Sequence, residues 1–400
     1  MRAGRRRVAV IRTVHVDGSP AAVTNLTDAL RPALSGTGPA VLPLPPALRS
    51  HSAVAQAPQQ HCGSEVTGGG AGGGGVVVAT SGSSGAARLV VLSAAALRAS
   101  AAATAVRLGG AAHWLLALPA EHVAGVQVIV RALLAGAPPA VQDLRGGFRP
   151  ADFAATAATL PPTGRRHTSL VPTQLARLLD AGGAALEALC GFDAVLVGGA
   201  ALDDTLRSRA RGAGVRVVTT YGMSETAGGC VYDGVPLDGV TVDLEADGRI
   251  VLGGPTLAEG YLGGPPFGGR FRSGDLGRWR AGRLEVLGRA DDMIVTGGEN
   301  VAPAAVERVL AAQPGIRGAC VVGVPDPEWG QAVVAAVVAG AGRPGDDVLR
   351  AAVRAALGRA AVPRRLVDVD RIPLRGVGKP DRSAVARLVT VTSEPNHPHG

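Results

Sequence analysis

The chain has 400 residues, of which 46% are apolar and 18% charged, with a formal net charge of +8. That length exceeds one ordinary core and predicts two or three domains, and no apolar stretch reaches the ~20 residues a membrane span needs. The basic balance would permit nucleic-acid binding, but the arginines are scattered and only 3% of residues are aromatic. A solvated surface that attracts polyanionic small molecules is the better reading.

After the basic start Met1–Arg7, the run Val8-Ala9-Val10-Ile11 is too short and broken for a secretory leader. The expectation is a cytoplasmic chain that begins in a strand. Cys62, Cys190, Cys230 and Cys320 are far apart with no CxxC pair, which disfavours zinc or a disulfide framework and fits a reducing compartment. Residues 1–65 alternate apolar runs with Pro and Gly punctuation, and the glycine-rich segment 67–76 reads as flexible.

Residues 76–80 are a buried strand, followed by a Ser/Gly loop and an alanine-rich helix over 93–108. Strand 114–118, helix 123–134 and strands 167–171, 194–197 and 215–220 continue an alternation that implies right-handed crossovers and a mostly parallel sheet. Beyond Gly229, short β-like pieces lie between Asp247-Gly248, Gly253-Gly254, Gly263-Gly264 and Ala281-Gly282, the signature of an antiparallel part. From Asp291 a smaller pattern follows: helix 304–312, strands 319–324 and 332–338, helix 347–357, and a frayed tail over 390–400. The expected fold is α/β. A large N-terminal domain (1–290) holds mostly parallel sheets with helices and an antiparallel β subdomain, and a small mobile α+β C-terminal domain spans 291–389.

Five segments carry candidate chemistry. Thr80-Ser81-Gly82-Ser83-Ser84-Gly85-Ala86-Ala87-Arg88 offers hydroxyls, backbone amides and one cation between a strand and a helix, an anion nest or else a plain turn. It lacks the Gly-Lys-Ser/Thr ending of a Walker A loop. Tyr221-Gly222-Met223-Ser224-Glu225-Thr226 sits at the C-terminal end of strand 215–220, the end where ligands gather in open α/β sheets. Tyr221 is able to stack on a base and Glu225 to hold Mg²⁺, or else the segment is a plain strand-to-loop turn. Phe271-Arg272-Ser273-Gly274-Asp275 places an acid after a turn, where it could accept two ribose hydroxyls. Gly288-Arg289-Ala290-Asp291-Asp292-Met293-Ile294, followed by Thr296-Gly297-Gly298-Glu299-Asn300-Val301-Ala302-Pro303 and Glu307, suits a hinge, or else a simple linker. Last comes Lys379, the sole lysine among 40 Lys and Arg residues. Its compact ammonium differs from the wide planar guanidinium kept everywhere else.

In this order and spacing, from about 80 to 382, the segments resemble the acyl-adenylate-forming superfamily of acyl-CoA synthetases, luciferases and nonribosomal adenylation domains. The resemblance implies ATP, Mg²⁺ and CoA as co-substrates and cofactor. Loop residues Thr80, Ser81, Gly82, Ser83, Ser84, Gly85 and Arg88 would contact the phosphates. Gly199, Tyr221, Gly222 and Ser224 would hold the nucleotide, with Gly198, Gly199 and Tyr221 flanking adenine. Glu225 would coordinate the metal, and Asp275, assisted by Arg289, the ribose. Asp291 would be the hinge, Gly297 and Gly298 would border the CoA passage, and Lys379 would bridge the substrate carboxylate and the α-phosphate. Family loops usually read Pro-Lys where this chain has Ala87-Arg88, and Thr where it has Ser84 or Ser224; an altered rate or ATP affinity is expected.

Leu118-Pro119-Ala120-Glu121-His122-Val123-Ala124-Gly125-Val126-Gln127, Arg131 and Ser169-Leu170-Val171-Pro172-Thr173-Gln174-Leu175 are similar to the ortho-succinylbenzoate–CoA ligases of menaquinone synthesis. That likeness makes His122, Arg131, Ser169 and Gly198 candidates for the acyl pocket and His122 a candidate catalytic group. A ligase for another aryl or short-chain acid, an adenylation domain serving a carrier protein, and a non-catalytic acyl-adenylate binder are the alternatives. The expected partners are a small carboxylic acid, ATP and CoA, with no nucleic acid and no membrane span. The oligomeric state stays open, a homodimer among the options.

Overall fold

Among the apolar runs that Pro and Gly punctuate near the start of the chain, Pro20 and Gly36 bound a helix. In the computed structural model, which describes residues 11–45, 74–80, 88–375 and 379–391, strand β1 (Ile11–His15) leads to helix α1 (Pro20–Ser35). Ser19 caps it, its hydroxyl accepting from the Ala22 N–H at 3.2 Å, and Pro20 takes the first helical position where a missing N–H costs nothing. Gly36 ends it at φ 76°. Of the expected opening strand at 8–11 only Ile11 is described, and it begins β1; of the segment 67–76 expected to be flexible, 67–73 lie outside the described residues and Gly75 and Val76 belong to a strand.

Strands β2 (Ala40–Leu44) and β3 (Gly75–Thr80) run parallel to β1 in one sheet. Here the structure corrects the expected strand–loop–helix. Arg88–Ser93 forms β4, antiparallel to β3 with Thr80 opposite Arg88. Its residues alternate between buried and accessible, as a half-covered strand requires. The Ser/Gly loop therefore joins a hairpin, and the helix, α2 (Ala94–Arg107), starts only after Ser93, which caps it by accepting from the Ala96 N–H at 3.1 Å.

The second sheet follows the expected alternation. In chain order come β5 (His113–Leu116), α3 (Val123–Leu134), β6 (Ala140–Val141), α4 (Pro150–Ala157), β7 (Arg166–Leu170), α5 (Pro172–Ala181), α6 (Gly183–Cys190), β8 (Ala194–Val197), α7 (Asp204–Gly212), β9 (Val217–Met223), β10 (Gly228–Tyr232) and β11 (Val235–Pro236). The strand order is β11-β10-β9-β8-β7-β5-β6. β9, β8, β7, β5 and β6 are parallel, and β10 and β11 fold back antiparallel at one edge.

The antiparallel part comprises β12 (Thr241–Leu244), β13 (Arg249–Gly253), β14 (Gly260–Tyr261), β15 (Arg270–Arg280) and β16 (Arg283–Arg289). β14 joins the first sheet beside β4, and the others order as β12-β13-β15-β16. The β15–β16 turn is Ala281-Gly282, both at positive φ (47° and 72°), the two-residue geometry whose twist matches the strands.

Two compact units result: residues 1–199, 210–243 and 251–272 form one, and 200–209, 244–250 and 273–400 the other. The second holds β17 (Ile294–Thr296), β18 (Glu299–Val301), α8 (Pro303–Ala311), β19 (Ile316–Asp326), β20 (Gly330–Ala339), α9 (Asp346–Leu357), β21 (Arg365–Asp368), β22 (Leu374–Arg375), β23 (Lys379–Pro380) and α10 (Arg382–Val391). Helix α10 takes in Thr390, where fraying was expected; 392–400 lie outside the described residues. Strand β20 alternates strictly. Val333, Ala335 and Val337 pack with Val306, Leu310, Leu349 and Val353 of α8 and α9, while Val334 and Ala336 pack with Val385 and Val389 of α10.

Leu310→Ala, at a fully buried position of that core, is expected to cost about 2–5 kcal/mol, read as a lower urea midpoint for this unit.

Candidate active site

The loop carrying Glu225 is built on a close backbone approach. Strand β9 continues through Tyr221, Gly222 and Met223, further than the 215–220 expected, and pairs there with β10. A Cβ at Gly222 would stand 2.1 Å from the Gly228 carbonyl oxygen, so no other residue fits. A 3₁₀ turn, Ser224–Thr226, then presents the carboxylate. Buried Thr226 pins this turn: its hydroxyl donates to the Gly228 carbonyl at 2.7 Å and accepts from the Met223 N–H at 2.9 Å. Ala227 sits at φ 52°, and its carbonyl accepts from Ser100 Oγ of α2 at 3.2 Å and Gln127 Nε2 of α3 at 2.8 Å. Two helices thus hold the turn from below.

Glu225 is gripped from the side as well. Tyr261 Oη donates to Glu225 Oε1 at 2.7 Å, and the Ala258 N–H donates to the Glu225 carbonyl at 2.8 Å. Burial first, then the bond to Glu225, raise the Tyr261 phenol above its ordinary pKa, which keeps it a donor. The Arg88 guanidinium lies over the Tyr261 ring, 5.1 Å from its centroid. The structure therefore brings Arg88 and Glu225 together through Tyr261, a residue that the sequence reading passed over. Thr80 closes the β3–β4 hairpin, its hydroxyl donating to the Arg88 carbonyl at 3.2 Å. Ser81, Gly82, Ser83, Ser84 and Gly85 lie outside the described residues. Gly198 and Gly199 follow β8. A Cβ on Gly198 would lie 2.2 Å from Thr220 Oγ1, and Gly199 holds φ 79°, so the glycine pair lets this turn lie against β9 just before Tyr221.

The pocket candidates divide. His122 is the N-cap residue of α3, without a capping bond from its side chain, and Arg131 lies about 14 Å further along the helix at 1.5 Å per residue. Arg131 is buried, 7% exposed. Its Nη2 donates to Tyr232 Oη at 3.2 Å, its guanidinium lies 5.3 Å from the Trp114 ring centroid, and its Nε has no hydrogen-bond partner. His167 and Ser169 share a face of β7, both buried, with His167 Nε2 and Ser169 Oγ unpartnered. His167 meets Trp114 edge-on at 5.1 Å. Of this polar group the sequence reading held only Arg131 and Ser169.

In the second unit Asp275 on β15 faces Arg289 on β16 in register. The Asp275 N–H donates to Ser273 Oγ at 3.1 Å, and its side chain is 15% exposed. Arg289, expected to assist Asp275, stands 3.8 Å from that carboxylate but directs two hydrogen bonds to Asp291, at 2.8 and 2.9 Å. Those bonds hold the Asp291 carboxyl below its usual range. The guanidinium lies where a Cβ on Gly274 would be, within 2.7 Å. Gly297 and Gly298 form the two-residue turn between β17 and β18 at φ 57° and 81°, and a Cβ on Gly297 would meet the Trp329 ring at 2.6 Å. Lys379 is described through its backbone, in β23 opposite Arg375 of β22.

Among the described residues no cluster of three His, Cys, Asp or Glu side chains could hold a metal ion alone. A single carboxylate such as Glu225 fits Mg²⁺ that takes its other oxygens from nucleotide phosphates and water. No helix among the described residues is long and apolar enough to cross a membrane.

Residues 76–262 match the family described as AMP-binding enzyme, and 305–379 its C-terminal domain. A Mycobacterium tuberculosis (strain ATCC 25618 / H37Rv) protein described as a probable 2-succinylbenzoate–CoA ligase is 47% identical over 291 residues, 70% of this chain and 76% of that one. The amide bond synthetase McbA from Marinactinospora thermotolerans superposes with a TM-score of 0.76 at 25% identity, over 96% of this chain and 91% of that one. The o-succinylbenzoate coenzyme A synthetase MenE from Bacillus subtilis, in complex with ATP and magnesium ion, gives a TM-score of 0.64 at 25% identity, over 77% and 69%. The chain belongs to the AMP-binding enzyme family, in its branch of AMP-forming acid–CoA ligases.

Burial pushes the His167 pKa down from 6.5 to about 4, with Arg165 and Arg131 adding to the shift and Asp193 opposing it. The unfolded chain therefore takes a proton on His167 near pH 6.5 that the folded chain refuses until about 4. The stability this residue contributes is complete above pH 6.5 and declines by roughly 1 kcal/mol per unit as pH falls toward 4. Urea unfolding across that window should give a shallower decline for His167→Gln than for the native chain.

Proposed function

We propose that this chain joins ortho-succinylbenzoate to CoA at the expense of ATP, in menaquinone synthesis. The observation that carries this reading is the likeness to the M. tuberculosis ligase across most of the chain. The buried Arg131 and the unpartnered Ser169 hydroxyl support it. A dicarboxylate needs a cation and donors for the carboxylate that does not react, whereas a fatty acid needs an apolar tunnel.

The substrate carboxylate attacks the α-phosphorus of ATP, forming the acyl–O–P bond and releasing pyrophosphate. Two anions ~4 Å apart repel by about 1 kcal/mol in water and several times that at an effective permittivity of ~20. Lys379 offsets this repulsion by placing its ammonium between the carboxylate and the α-phosphate. Glu225 would hold Mg²⁺, which when bound draws charge off the phosphate oxygens. Tyr261 orients that carboxylate by its hydrogen bond. Thr80, Ser81, Gly82, Ser83, Ser84, Gly85 and Arg88 hold the phosphates, Gly199, Tyr221, Gly222 and Ser224 the nucleotide, and Asp275 the ribose, with Arg289 beside it. His122, Arg131, Ser169 and Gly198 border the acyl group. In the second half-reaction the CoA thiolate attacks the acyl carbon and AMP leaves. Asp291 is then the hinge, and Gly297 and Gly298 border the thiol's path.

AMP release from equal concentrations of ortho-succinylbenzoate, benzoate and a medium-chain fatty acid should be fastest with the first. Faster turnover of either of the others reassigns the substrate, an amine outcompeting CoA reassigns the acceptor, and no pyrophosphate with any acid marks a binder without catalysis. Lys379→Ala should slow pyrophosphate release by about 100-fold or more, while thioester formation from supplied acyl-adenylate persists. Equal loss of both half-reactions would refute the role given to Lys379.

A further inference from the structure

Three residues after Lys379, at the start of α10, Arg382 makes a dense set of bonds within the second unit. Its Nε donates to Asp292 Oδ2 at 3.2 Å, its Nη2 to Glu307 Oε2 at 3.1 Å, and its Nη1 to the Val321 carbonyl at 2.7 Å. Nη1 also donates to Glu307 Oε1 and lies 3.6 Å from Cys320 Sγ. Glu307 Oε1 accepts the Val321 N–H at 2.8 Å, so the ion pair engages both backbone polar groups of that residue on β19. Asp381 caps the same helix, its Oδ1 accepting from the Ala384 N–H at 3.0 Å, while its own N–H donates to the Pro373 carbonyl at 2.8 Å, across the foot of the β22–β23 hairpin. Asp292 directly follows Asp291, which Arg289 holds by two hydrogen bonds. Two guanidiniums thus grip two adjacent carboxylates, one from β16 and one from the base of the lysine hairpin.

We propose that Arg382 is a positioning residue for adenylation: with Glu307 and Asp292 it fastens the foot of the Lys379 hairpin to the segment around Asp291, so that the amine and the hinge segment move as one body. This rests on the role proposed for Lys379. The planar fork satisfies several acceptors in fixed directions, which a point-charge ammonium cannot do. Lysine at 379 and arginine at 382 therefore answer different geometric needs.

The test separates the half-reactions in the full-length protein, with thermal unfolding measured alongside. Arg382→Gln should slow pyrophosphate release by about 100-fold, the scale of loss when a reacting group is misplaced by an ångström. Thioester formation from supplied acyl-adenylate should stay within about threefold of the native rate. Arg382→Lys should recover part of the loss, and Asp292→Asn should give the same split with a smaller drop. A parallel fall of both half-reactions, or native adenylation in the folded variants, overturns the proposal. If Arg382→Gln does not fold, Asp292→Asn decides alone, since its carboxylate is 37% exposed. Lys379→Ala with native adenylation would sink the Lys379 role itself. A dead Lys379→Ala beside normal Asp292→Asn and Arg382→Gln would leave that role standing and remove only this one.

Discussion

The backbone carbonyl of Ala227 is where the first unit's chemistry is anchored. A residue without side-chain polarity, held at φ 52°, offers one oxygen, and buried donors from α2 and α3 close on it. Neither Ser100 nor Gln127 has water to fall back on, so each donor is fully committed to this acceptor. The turn before it inherits that rigidity through Thr226 and the Gly222–Gly228 approach. Glu225 therefore projects from a fixed platform rather than a mobile loop, which is what electrostatic stabilisation of a charged transition state requires.

The second unit solves a different problem with charge. Its candidate residues lie on accessible strand positions and turns, where packing alone does not fix side chains. Paired arginines and carboxylates do that work: Arg289 with Asp291 and Asp275, Arg382 with Glu307 and Asp292. Arginine serves here because a fork can hold two oxygens at once and stays charged when partly buried. The near-total use of arginine in this chain thus has a structural expression in these pairs, whatever drove the composition.

Much of the architecture was legible in the sequence, and the reasons are local. Helix α3 and strand β8 fall on the residues expected, because apolar spacing and flanking Gly or Pro define them without outside help. Helix α1 was missed because Pro32 lies inside it and Pro20 and Gly36 looked like loop residues. Strand β4 was missed because the four apolar residues Leu89–Leu92 ahead of an alanine helix carry no periodicity of their own. Within the site, Glu225, Asp275 and the Gly297-Gly298 turn stood out by motif. Tyr261 did not, since its role comes from a partner 36 residues away; Glu307 and Gln127 fell within motif segments, but nothing in one sequence announces their partners 75 and 100 residues away.

Strand β20 carries one consequence for how this protein can change over time. Its odd residues belong to one hydrophobic layer and its even residues to another, with no polar face between them to absorb an error. A one-residue insertion near Val334 would exchange the two layers beyond that point, setting small alanines where valines fill space and the reverse. Length variation among descendants of this chain should accordingly collect in the loops around 340–345 and 358–364, and spare the strand.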